Sequence, residues 1–206
     1  MNRFVYYARE IGFTHPLGDS TIRPGYVVPD LGCFGAGKGP TGTEQHHPAV
    51  DMHVGDHDTL VTVYAPHDGL AHTYRDAPKY RHYLSITRDV LDSDSIVVGR
   101  LVTILGHIDL DLDEGDSLFM DGVYVEQGNI VSRHLWSGTT GGPHLHWEVR
   151  YYRPEDAATE SFYGMSPPWG DESFTAQSEG PWGYGFWNPD VGYGFGRAEN
   201  HGVSFE

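Results

Sequence analysis

The sequence has almost no cysteine. Cys33 stands alone, so no internal disulfide can form and cysteine usage does not decide the redox compartment. A lone cysteine of this kind reads as a small loop or core residue. Basic residues are scarce as well: 13 Lys and Arg face 29 Asp and Glu, a formal charge of −16. Nucleic-acid binding and anchoring on anionic lipid or wall polymers both need clustered positive charge, so neither is expected. No apolar run reaches bilayer-spanning length, and no basic-then-apolar signal peptide opens the chain. Any export signal is therefore expected outside this sequence. The sequence has no His-Glu-x-x-His helix. Lys38 is followed by Gly39-Pro40 rather than by Ser or Thr and a helix, which excludes a phosphate-cradling loop. No segment sustains a helical period.

What is present is short, β-branched or aromatic, and bounded by Gly, Pro and Asp. Strands are expected at residues 49–54, 60–65, 69–74, 82–88, 95–105, 122–125 and 144–151. This pattern predicts a mostly β, antiparallel architecture, with two sheets or one curled sheet around a groove. A Gly/Pro-rich loop is expected over residues 19–43. The chain divides into a β-domain over residues 1–153 and a Gly/aromatic-rich extension over 154–206. In the extension Gly183-Tyr184-Gly185-Phe186 recurs as Gly192-Tyr193-Gly194-Phe195. That aromatic surface is expected to pack on the domain, with a platform for sugars or peptides as the alternative.

The chemistry concentrates in Gly141-Gly142-Pro143-His144-Leu145-His146-Trp147-Glu148-Val149-Arg150. Strand alternation sends Leu145, Trp147 and Val149 to a core and both histidines to the opposite face. Two imidazoles side by side on a strand can share a metal or divide binding from proton transfer. Upstream, His47-Pro48-Ala49-Val50-Asp51 supplies a further histidine and a carboxylate. Two His and one Asp are an ordinary protein ligand set for a catalytic zinc, leaving one position for water.

These motifs, in this order, resemble the lysostaphin-type (LytM-like) zinc endopeptidases that cut peptidoglycan cross-bridges. The likeness spans roughly residues 13–150. It includes an Ala65-Pro66-His67-Asp68-Gly69 turn, a strand Val102–Ile108 carrying His107, and a hairpin over Val123–Val131. Leu105 departs from the family, where an aromatic is common, and residues 75–82 and 88–98 look expanded. The resemblance implies one Zn2+ held by His47, Asp51 and His146, with His107 and His144 as catalytic residues. It also implies a peptidoglycan peptide as substrate, a location outside the cell or in its envelope, and a monomer. A non-hydrolytic module that binds or regulates wall enzymes is the alternative. Degenerate members usually lose ligands, and this chain keeps them all.

Other residues receive plainer readings. His46 is expected to point away. His53 shares a face with Asp51 and is read as a supporting partner or extra ligand. His57, His67, His72, His82 and His134 are read as polar surface or loop residues. Glu148 shares a face with His146 and could act as a base, but is read as a strand-end salt bridge, and Asp109–Asp116 is read as a solvated acidic loop.

Overall fold

A computed structural model describes residues 13–18, 49–54, 59–77, 80–139, 142–152, 185–188 and 193–195. The expected loop at 19–43, with Cys33 and Lys38, lies outside the described residues, as do His46, His47 and His57 and most of the extension.

The larger sheet is antiparallel and has eight strands. Its main path runs β10 (Tyr193–Phe195), β9 (Gly185–Asn188), β8 (His144–Tyr152), β5 (Val97–Gly106), β4 (Arg81–Leu91), β3 (Gly69–Ala77), β6 (Val123–Val125). β1 (Ala49–His53) pairs with the first half of β8, in register Asp51↔His146 and His53↔His144. β9 pairs with the second half of β8, Val149 opposite Trp187, so two short stretches of the extension continue the sheet. A second sheet joins β2 (Leu60–Tyr64) to β7 (Ile130–His134).

The seven expected strands are present, with one correction. The expected hairpin over 123–131 is not a hairpin: β6 pairs with β3 in the large sheet, while β7 pairs with β2 in the small one. The turn between them carries the chain from one sheet to the other.

The β4–β5 hairpin shows how local chemistry sets the register. The buried Asp92 carboxylate accepts from the backbone N–H groups of Asp94 and Ile96, both at 2.9 Å, which is an Asx-type turn. The apolar residues then alternate. Leu101 and Leu105 of β5 face the main core with Leu84, Ile86, Leu145, Trp147 and Val149. Val102 and Ile104 point to the other face, where they pack with Tyr80 and Tyr83. The sheet is therefore covered on both sides near its centre.

The acidic stretch is also corrected. Leu110–Gly115 forms a helix, α1, capped by Asp109, whose side chain accepts from Leu112 N–H at 3.3 Å. Six residues are too few to give a readable period. Asp113 of this helix is buried and accepts from Ser132 Oγ at 2.6 Å, Arg133 N at 2.7 Å and His134 Nδ1 at 3.0 Å. It pins α1 to β7, so His134 is a structural partner there and not a free surface group. No helix among the described residues is long and apolar enough to cross a membrane.

Candidate functional site

The β8 face opposite the main core carries His144, His146 and Glu148, as alternation predicts, and all three are buried. Antiparallel pairing with β1 sets Asp51 against His146. Asp51 Oδ1 and His146 Nδ1 lie 2.9 Å apart, although the residues are 95 positions apart in sequence. Asp51 Oδ2 is 3.6 Å from His144 Nε2. His53, directly across from His144, stacks on it with ring centroids 5.2 Å apart.

His107 arrives from the end of β5 and takes a left-handed backbone, φ 63°. Its carbonyl accepts from Trp136 N–H at 2.7 Å and its own N–H donates to the His82 carbonyl at 3.1 Å. Those bonds hold a conformation that side chains other than glycine adopt infrequently. The result places the His107 ring 4.7 Å from that of His144 and 5.7 Å from that of His146, centroid to centroid. The structure thus brings together Asp51, His107, His144 and His146. His47, the remaining expected ligand, lies outside the described residues.

The three histidines differ in charge. Burial pulls His146 down, but its hydrogen bonds to Asp51 and Glu148, with the charges of those carboxylates, outweigh it and push it up to about 9. Burial, followed by repulsion from His144 and His146, drives His107 down to about 3. Its Nδ1 is buried with no hydrogen-bond partner among the described residues. His144 is lowered mainly by burial, against the pull of Asp51. His144 Nδ1 donates to the Gly142 carbonyl at 3.0 Å, which leaves Nε2 as the lone-pair nitrogen facing Asp51. The site therefore couples one cationic, carboxylate-bound imidazole with two neutral ones.

Two contributors escaped the sequence reading. Glu148 is not a strand-end salt bridge: it is 0% exposed in the middle of β8, with Oε2 3.3 Å from His146 Nε2. Its position two residues from His146 on the same face is the available signal, set aside in favour of the salt-bridge reading. Tyr80 is 2% exposed, with its hydroxyl 3.1 Å from His146 Nε2 and 3.3 Å from Glu148 Oε2. Its only signal was that residues 75–82 depart in length from the family pattern.

Other histidines are corrected too. His67 is 0% exposed and enclosed by the core: Nδ1 donates to the Asp68 carbonyl at 2.8 Å, so Nε2 accepts from the Thr103 hydroxyl at 2.7 Å. His82 is buried beside Asp109 and Asp111, and the three could offer ligand atoms to one cation. Their bonding argues against that use. His82 Nδ1 accepts from Leu110 N–H at 3.2 Å, so a neutral ring carries its proton on Nε2 and offers no second lone pair. Asp111 is already neutralised by ion pairs with Arg75 and Arg81. His72 is half-buried near Asp121, 3.4 Å away.

The fold and site together define a mostly antiparallel β protein with a buried histidine–carboxylate centre. No family model and no curated protein matches the chain. Solved structures align with parts of it. A zinc-containing peptidase from Vibrio cholerae aligns over 67% of this chain and 36% of its own, at 22% identity and a TM-score of 0.43. The catalytic domain of a prophage-encoded M23 protein from Enterococcus faecalis aligns over 64% of this chain and 88% of its own, at 22% identity and a TM-score of 0.37. The catalytic domain of the antimicrobial peptidase lysostaphin from Staphylococcus simulans covers 62% and 78%, at 19% identity and a TM-score of 0.37.

Proposed function

We propose that the chain is a zinc-dependent endopeptidase that hydrolyses peptide bonds of bacterial cell-wall peptidoglycan, at work in the cell envelope. The observation that carries this reading is the meeting of Asp51 Oδ1 and His146 Nδ1 at 2.9 Å, with His144 and His107 at its rim. Those are the positions to which the lysostaphin-type motifs assign two ligands and two catalytic histidines. His47, four residues before Asp51, is the third ligand in this reading.

The donor chemistry fits a metal. A metal-binding imidazole usually gives its far nitrogen to a carboxylate, which fixes the tautomer and the ring's orientation. Here Glu148 takes the Nε2 side of His146 and leaves Nδ1 turned toward Asp51. Two histidines and a carboxylate suit zinc, which when bound supplies Lewis acidity and lowers the pKa of a water to about 7. The chain's own residues then handle protons. His144, with Nδ1–H committed to the Gly142 carbonyl, presents Nε2 as the acceptor for the proton of the attacking water. In this reading His107, packed against His144, steadies the carbonyl oxygen through a ring N–H, and the proton that His144 takes from the water passes on to the leaving amine.

Digestion of purified peptidoglycan with the zinc-loaded protein tests this directly. Mass spectrometry should find peptides with new amino termini. Unaltered wall peptides after prolonged incubation would overturn the activity.

A further inference from the structure

Tyr80 reaches the site from the β3–β4 hairpin, a part of the chain to which none of the motifs assigns a role. Its ring occupies space that exists only because residue 106 is glycine: a Cβ built on Gly106 would overlap the Tyr80 ring. From there it contacts three site residues, His146, Glu148 and His107. The hydroxyl lies 3.1 Å from His146 Nε2 and 3.3 Å from Glu148 Oε2. The ring lies nearly parallel to that of His107, at 19° with centroids 5.5 Å apart. Its orientation toward the His146 ring is nearly perpendicular, 83° at 4.9 Å.

The hydroxyl, the carboxylate and the imidazole form a closed triangle. A phenol donates one proton and accepts others, so Tyr80 O–H donates to Glu148 while the Tyr80 oxygen and Glu148 share the His146 Nε2–H. Removing the hydroxyl takes one of the described partners from the Nε2 side of His146 and leaves Glu148 there, in a buried site where hydrogen bonds weigh most. Because Tyr80 has few rotatable bonds and almost no exposed surface, its ring also forms a fixed backstop for His107.

We propose that Tyr80 is a positioning residue serving both halves of the site: its hydroxyl sets the orientation of His146, and its ring face sets that of His107. The inference rests on the zinc-peptidase reading for its catalytic consequence, while the His146 tie stands on the geometry alone.

Two substitutions separate the roles. Tyr80→Phe keeps the ring and deletes the hydroxyl; Tyr80→Leu deletes both. Partners of metal-binding histidines are typically worth 10–100-fold in affinity, so Tyr80→Phe should weaken zinc binding about tenfold in competition with a chelator. It should also leave KM nearly unchanged. Tyr80→Leu should lose a further factor in kcat beyond what its zinc affinity explains, and Phe should rescue that part. In the zinc-free protein, the ring N–H proton of His146 should exchange with solvent faster in Tyr80→Phe than in wild type, as read by NMR. Wild-type zinc affinity together with an unaltered N–H signal in Tyr80→Phe would overturn the proposal, even if Tyr80→Leu fails to fold. Should the wild-type protein bind no zinc, the peptidase reading falls, and the N–H exchange arm alone decides the role of Tyr80.

Discussion

His67 and His146 are both enclosed by the same β framework, yet near neutral pH one is uncharged and the other cationic. His67 faces a backbone carbonyl and a hydroxyl, and burial drives it down to about 4. His146 faces two carboxylates, which overcome the same burial penalty and push it up to about 9. Desolvation alone makes a structural histidine neutral; desolvation between carboxylates makes a place that favours positive charge. The difference separates a histidine that holds the core together from one suited to a cation.

The largest effect expected from breaking this contrast is on metal binding. Asp51→Asn removes the carboxylate on the Nδ1 side of His146 and should weaken zinc affinity by orders of magnitude, measured by competition with a chromophoric chelator. His67→Gln should leave it unaltered. Next come the neutral histidines. His144→Ala and His107→Ala should each lower turnover about 10²–10⁴-fold while zinc stays bound, since proton-transfer groups typically contribute that much. Loss of zinc in either variant would make that residue a ligand.

The contrast also predicts a pH dependence of folding. The unfolded chain protonates His67 near its ordinary value of 6.5, whereas the folded chain resists until about 4. Stability from this residue is complete above pH 6.5 and is lost progressively as pH falls toward 4, by about 3 kcal/mol in total. Denaturant unfolding at pH 7 and at pH 4.5 should show a smaller pH loss in His67→Gln than in wild type. The smallest predicted effect is Gly106→Ala, which forces the Tyr80 ring to move and should cost about 1–3 kcal/mol of stability by overpacking. An unchanged melting temperature would show that the Tyr80 pocket is looser than described.

Much of this was legible in the residues. Period-2 alternation from His144 to Val149 places the core and site faces of β8 correctly, because one buried face fixes the register of a strand. The bounding Gly, Pro and Asp locate the strands, and the resemblance to the lysostaphin-type motifs marks Asp51, His107, His144 and His146, side chains that do converge. What was not legible depends on contacts distant in sequence. Nothing local tells that Val123–Val125 pairs with β3 while Ile130–His134 pairs with β2. Charge at Glu148 and Asp113 suggests solvent, and only the approach of Tyr80, or of Ser132 and His134, makes their burial affordable. His67 and His82 look like ordinary polar residues until neighbouring strands close over them. Tyr80 gains its role from a gap opposite a glycine 26 positions further along the chain.

Zinc stoichiometry, measured by elemental analysis on wild type, His67→Gln and His146→Ala purified side by side, tests the central claim most directly. One zinc per chain is expected in wild type and His67→Gln, and essentially none in His146→Ala. Stoichiometric zinc in His146→Ala would contradict the assignment of this histidine–carboxylate centre as the metal site.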